Sequence, residues 1–475
     1  MIRLGVPPDL TARERYGLDV LVDLSRLVVV LDPAANAVRL GVVDGPSRSL
    51  DQALRDGVQF DRDSDAVHIR RSLLGHVTDL AGAAVEATVT AVDRHGRIPS
   101  EANPLVRHHR ERDPVVQRWG MELRSAVGAV AGRRPVRLLA PWPNGRRWAA
   151  AITHDLDVVT GWPLFTLLRL AELARRGRGK LIARILGSAL GAVGRDPVGA
   201  GVRAILEAEH AAGISATWFV LSGTPTPATW MRGDVTYRLE SSGASRLVDD
   251  ILQGGHEIGL HGSLATAAGV TRFREERERL GRRLGAQPSG VRQHFLRLRP
   301  GRTHAAMREA GFRYDATCGF PDRNGFRLGV ADVVPAWLAE DGNSAEFLTV
   351  PLVWMDRALS KYRGVDDPTP LVTEALELAA TCRAVEGLWV GLWHPNLVPA
   401  LGFPDAPAAF VRLLQNLVHD APYVAPLHRI VSWRQARRAT RVRRVAPDGR
   451  LELAASSQGE WSVTVEDEQG RVLGG

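Results

Sequence analysis

The chain has 475 residues, 45% hydrophobic and 24% charged, which excludes a largely disordered protein and, at roughly 150 residues per domain, suggests two or three domains. Its formal net charge is +8, and all but two of its 61 basic residues are arginine, the exceptions being Lys180 and Lys361. No run of about 18 apolar residues occurs, and Cys318 and Cys382 have no Cys-x-x-Cys spacing, which excludes a membrane span, a disulfide framework and a thiolate zinc knuckle.

Met1 to Pro8 carries a charge and two prolines where a secretory signal needs an apolar stretch, so a cytoplasmic location is expected rather than export by the usual route. Residues 1–145 alternate short β-like runs, such as Arg26 to Leu31, with helical stretches, such as Asp113 to Val130. They read as an accessory α+β domain without a chemical motif. Its histidines, His68, His76, His95, His108 and His109, lie among arginines and turn residues, and surface positions are expected for them. Breaker residues cluster at Pro141-Trp142-Pro143-Asn144-Gly145-Arg146, where the boundary of a second domain, 146–440, is placed.

From there apolar strands alternate with helical stretches such as Thr271 to Leu284: Ala149–Thr153, Ala216–Leu221, Glu257–Leu260, Gly290–Gln293, Thr349–Trp354 and Leu388–Trp393. Such alternation implies an α/β fold with a parallel sheet, here a distorted (β/α) barrel of about seven strands. Between the first two strands, Phe165 to Val193 places leucines at helical spacing around the basic turn Arg175-Arg176-Gly177-Arg178-Gly179-Lys180. This segment reads as two amphipathic helices, either packed on the barrel or serving as a lid or as a surface for an anionic lipid or polymer. The last stretch, 441–475, alternates apolar and polar residues around Pro447-Asp448-Gly449 and reads as a small β appendage. The arginine, alanine and glycine wealth is read as compositional bias on a solvated surface. No aromatic-interleaved basic run or nucleic-acid module is present, and no nucleic-acid partner is expected.

Catalytic side chains of barrels collect at the C-terminal ends of the strands. Four predicted strands end in groups able to bind a cation or move a proton: Thr153-His154-Asp155-Leu156-Asp157, Gly259-Leu260-His261-Gly262-Ser263, Arg292-Gln293-His294-Phe295 and Leu392-Trp393-His394-Pro395. Asp155 and Asp157 alternate onto one face of the strand's exit, so one can ligate a cation while the other handles a proton. Imidazoles beside them suit zinc or a similar first-row ion. His394, after an apolar strand and beside Trp393, suits a near-neutral proton donor.

In order and spacing these motifs resemble those of the polysaccharide deacetylases that share the NodB homology domain, carbohydrate esterase family four, over about residues 148 to 400. The resemblance implies Asp155 as base, Asp157 and His261 as metal ligands, and Arg292 as the residue steadying the base. It also implies the Phe295 backbone N–H as part of the oxyanion site and His394 as acid, with His256 in a structural role. Two departures stand out. Ala265 occupies the place of the family's second histidine, and His294 stands where the family has proline. His294 is therefore expected to be the third ligand of a divalent metal, zinc being the expected ion. Trp393 and the loop residues Asp322, Arg323 and Arg327 are expected to contact substrate. The expected activity is hydrolysis of an amide, as in a carbohydrate N-deacetylase. The alternatives are a non-catalytic carbohydrate-binding relative with a degraded metal site and an anionic-polymer binder.

Overall fold

The computed structural model describes residues 2–31, 37–338, 347–358, 367–445, 451–454 and 463–466. The N-terminal region holds a small sheet of β1 (Ile2–Gly5), β2 (Val38–Val43), β3 (Asp61–Arg62) and β4 (Ala66–Arg70), in the order β1-β2-β4-β3, with only β3 antiparallel. Its helix Ala12–Ser25 begins at a reciprocal cap, in which Thr11 accepts from the Glu14 N–H and Glu14 accepts from the Thr11 N–H. The run Arg26 to Leu31 forms isolated bridges, to Ile2, Leu138 and Val442, rather than a strand of its own. The predicted helix of the region spans Val115–Ala131.

After β5 (Val136–Leu139) comes the principal sheet. Its strands are β6 (Ala149–Leu156), β7 (Thr217–Leu221), β8 (Glu257–Gly262), β9 (Gly290–Gln293), β10 (Tyr314–Asp315), β11 (Val334–Pro335), β12 (Leu348–Thr349), β13 (Trp354–Met355), β14 (Leu388–Leu392) and β15 (Tyr423–Val424). The order is β11-β12-β10-β9-β8-β7-β6-β14-β13, with β15 beside β6. Every pairing is parallel except that of β11 with β12. The expected distorted α/β barrel is thus present as a curled, open sheet. The predicted strand Thr349–Trp354 is corrected: it is two short strands, β12 and β13, on opposite sides of the opening, β12 inside the edge strand β11 and β13 at the other edge. The backbone between them spans the gap, the Leu352 N–H donating to Cys318 O on one side and the Val353 N–H to Val390 O on the other.

All eight residues of β6 are buried, as are all five of β7 and of β14, because helices cover the sheet's outer face and side chains fill its interior. That is why these strands read as apolar runs rather than alternating ones. The N-terminal region packs against the barrel. Leu105, Val115, Val116 and Trp119 share one apolar cluster with Leu298, Cys318, Leu328 and Val330 of the barrel. The C-terminal strands also return to it. Strand β16 (Val442–Val445) pairs with β17 (Leu451–Leu453) and bridges to Val30, while β18 (Val463–Glu466) lies antiparallel to β5.

Candidate metal centre and active site

Since β6, β8, β9 and β14 are parallel strands of one sheet, their C-terminal ends lie on one edge, and the residues there face a cavity of about 1210 Å³. Alternation along β6 decides which of its residues reach that cavity. His154 turns away and is buried, with Nε2 2.9 Å from Glu209 and its ring against Trp218. Asp155 and Asp157 turn toward the cavity and line it together with His261, His294, Phe295 and His394.

Asp157, His261 and His294 each offer a ligand atom within 4.8 Å of the other two. His261 Nε2 is 3.2 Å from Asp157 Oδ1, and His294 Nε2 is 3.7 Å from the same oxygen. Atoms held about 2.0–2.2 Å from a tetrahedral zinc lie about 3.3–3.6 Å apart. The second atom of each ring sets its tautomer. His261 Nδ1 is 2.9 Å from the Arg292 carbonyl oxygen and His294 Nδ1 is 3.2 Å from Asp234 Oδ1, both acceptors, so each Nδ1 carries a proton and, in the neutral ring, each Nε2 presents a lone pair inward. Asp157 Oδ1 and His261 Nε2 are buried without a hydrogen-bond partner. Two such acceptors at 3.2 Å repel unless a cation or proton lies between them, so the donor set fits a first-row divalent ion. Ala265 lines the same cavity without a ligating group.

Asp155 stands beside this trio, its Oδ2 3.7 Å from His261 Nε2 and its Oδ1 accepting from Arg292 Nη1 at 2.9 Å. Arg292 is fully buried. It is fixed by Nε donation to Ala316 O, by Thr153 Oγ1 at 2.9 Å and by the Phe219 ring, whose centroid is 4.4 Å away. His394 presents Nε2 to Asp157 Oδ2 at 3.7 Å, while Asp356 accepts from both its Nδ1 and its backbone N–H at 2.7 Å. Burial pushes the Asp157 carboxyl up, but His294, His261 and His394 outweigh it and hold the group well below the usual carboxylate range. Burial also pushes His261 and His394 down. Asp155 and Asp157 raise the first in spite of it, and Asp356, Asp157 and Asp155 raise the second.

Phe295 and Leu296 both have left-handed backbones, φ 59° and 55°, which costs roughly 1–3 kcal/mol each for a residue other than glycine. The turn they make at the end of β9 stacks the Phe295 ring on His294 at 4.0 Å and on His95 at 4.5 Å. His95 therefore corrects the expectation of a surface histidine. It and its neighbours Asp93 to Arg97, in the N-terminal region, form one wall of the cavity.

The expected substrate residues are corrected as well. The Trp393 side chain is buried in the core against Trp354 and Phe410 and does not line the cavity, because the alternation that aims His394 inward aims Trp393 outward. Asp322, Arg323 and Arg327 face the N-terminal region instead. Asp322 accepts from Ser100, Arg323 pairs with Glu101, and the buried Arg327 pairs with Glu86. Of that loop, Pro321 lines the cavity.

Sequence reasoning missed Asp234 and Asp356, which orient His294 and His394. Asp356 lies two residues beyond Trp354, where a strand was predicted to end, and extending the strand-end search by two positions reaches it. Asp234 sits in a loop between Gly233 and the buried Val235, with no periodic signal around it.

No family model matches the chain, and no curated protein does. Among solved structures it is similar to a candidate polysaccharide deacetylase from Mycobacterium smegmatis, 23% identical over 63% of this chain and 94% of that one, with a TM-score of 0.42. It is also similar to a family 4 carbohydrate esterase from Streptomyces lividans in complex with acetate, 12% identical over 59% and 92% of the two chains, TM-score 0.29. A third is the chitin deacetylase of the fungus Colletotrichum lindemuthianum, 11% identical over 64% and 91%, TM-score 0.32.

Proposed function

We propose that this chain is a divalent-cation-dependent hydrolase that removes an N-acetyl group from a carbohydrate. The observation that carries this reading is the pairing, at one cavity floor, of a trio able to hold a cation with a carboxylate anchored by a buried arginine. Asp157, His261 and His294 would hold the ion, zinc being the first choice for two imidazoles and one carboxylate. When bound, such an ion supplies Lewis acidity toward a carbonyl oxygen and lowers the pKa of water. Asp155, held by Arg292, takes the proton of the attacking water. Phe295, turned inward at the end of β9, offers its backbone N–H toward the developing oxyanion. His394, whose Nδ1–H is fixed on Asp356, presents Nε2 as the group that protonates the departing amine.

The test is acetate release from N-acetylated oligosaccharides by purified protein loaded with zinc, cobalt or no metal, alongside elemental analysis. Acetate release that follows metal content supports the reading. Stoichiometric metal without acetate release from a broad panel would point to a carbohydrate-binding protein. Absence of bound metal after loading would remove the hydrolytic reading altogether.

A further inference from the structure

The helical hairpin between β6 and β7 is amphipathic in the wrong sense for packing alone. Helix Trp162–Arg175 turns Thr166, Arg169 and Leu173 inward, Thr166 donating to Ala400 O and Arg169 lying over the Phe403 ring. Its leucines at the i, i+3 and i+4 positions point out: Leu167 is 61% exposed, Leu168 60%, and Leu164 is also exposed. The second helix, Gly179–Gly191, buries only Ile185 and leaves Leu186 and Leu190 exposed, with Val193 beyond it 67% exposed. Scattered surface leucines are ordinary, but two adjoining helices with their leucines facing solvent are not.

The charge of the segment says what covers this face. From Trp162 to Arg195 there are seven basic residues and one acid, Glu172, and that acid is already paired with Arg169 and Arg176. Arg175, Arg176, Arg178 and Lys180 are all exposed at the turn joining the two helices. Apolar side chains flanked by cations match the interface of an anionic bilayer, where leucines enter the acyl boundary and basic groups stay among the headgroups. A second copy fits poorly, since a two-fold pairing would bring two such basic turns into one interface. Phe165, on the first helix, lines the catalytic cavity, as does Arg232, next to the 79% exposed Met231. The cavity therefore opens beside the face.

We propose that the hairpin Trp162–Gly191 is a docking surface for anionic lipid bilayers, seating the protein on a membrane with its cavity beside the lipid. No described helix is long and apolar enough to cross a membrane, so the contact is peripheral. This inference does not depend on the catalytic reading.

Co-sedimentation of the full-length protein with phosphatidylcholine vesicles, with and without 30% phosphatidylglycerol, tests it. The expected result is binding to the anionic vesicles, weakened by salt, and at least tenfold weaker binding for both L167S/L190S and R175E/K180E. These side chains are exposed, so both variants should unfold at the temperature of the parent. The proposal is overturned by an absence of binding to anionic vesicles, or by binding that either variant leaves unchanged. A concentration-dependent dimer that L167S/L190S abolishes would overturn it in favour of a second copy.

Discussion

His294 follows Arg292 by two residues, so both side chains leave the end of β9 on the same side. Arg292 meets Asp155 there and His294 meets Asp157. With Ala265 offering no ligand, a catalytic site of three protein donors needs this imidazole. On the proposed reading, His294→Ala and His261→Ala should both lose the metal, measured by elemental analysis after dialysis, and full occupancy in His294→Ala would remove it from the ligand set. Asp234 acts through His294 Nδ1, and Asp234→Asn should weaken metal affinity about 10–100-fold in a chelator competition. The two carboxylates of β6 should separate in the same assays. Asp155→Asn should keep the metal and lower kcat about 10²–10⁴-fold, whereas Asp157→Ala should lose both. Metal loss in Asp155→Asn would reverse the two roles.

At the scale of elements, the segment after β8 shows how a strand end is held rigid. Helix Val270–Leu284 buries Glu276, whose carboxylate accepts from the Ser263 N–H at 3.0 Å and from its hydroxyl, pinning the chain two residues after His261. Burial pushes Glu276 up to about 7, against the help of Ser263. The unfolded chain releases this proton near the ordinary glutamate value, before the folded one does. The stability it contributes is therefore fully present below about pH 4.5 and is lost as pH rises through about 7, by roughly 3 kcal/mol in all. Glu276→Gln keeps an acceptor for the Ser263 N–H and adds a donor for its hydroxyl. Urea unfolding between pH 5 and 8 should show a decline in stability for the parent that is largely absent in the variant. Equal pH profiles would mean that another group carries the decline.

For the whole molecule, one tie between the N-terminal helix and the helix Leu427–Ala439 is electrostatic. Helix Leu427–Ala439 sends Arg434, Arg437 and Arg438 to Asp23, on the N-terminal helix, and Arg434 also reaches Asp332 in the barrel. Burial pushes Asp23 up, but the three guanidinium groups outweigh it and bring it down to about 2. The arginines respond unequally. Asp23 and Asp332 overcome burial to raise Arg434, while burial and the charge of Arg434 push Arg437 down to about 9. Asp23→Ala leaves three clustered cations without their shared anion, and breaking a buried pair in this way costs about 3–5 kcal/mol. A fall of that size in denaturant unfolding is expected, together with loosened packing of the N-terminal region, readable as faster amide exchange in Ala12–Ser25. A change below about 1 kcal/mol would show that the cluster is solvated in solution.

Much of this was legible in the chain itself, for a physical reason. Parallel strands put all their C-terminal ends on one edge, so Asp155, Asp157, His261, Arg292, His294 and His394, each at a strand end, needed only the strand pattern to be brought together. Which side of a strand end faces the cavity was harder to read. Alternation places His154 opposite Asp155 and Trp393 opposite His394, but which of the two faces is the core is marked only by residues from other elements, such as Trp354 and Phe410 against Trp393. The partners that orient the site, Asp234 and Asp356, and the wall from Asp93 to Arg97 come from loops distant in sequence, where no periodicity encodes position. Composition and turn residues mark a boundary near 145, whereas only packing decides that Val115, Val116 and Trp119 bury themselves against Leu328 and Val330, because an apolar surface buries itself against whatever apolar surface the fold brings near.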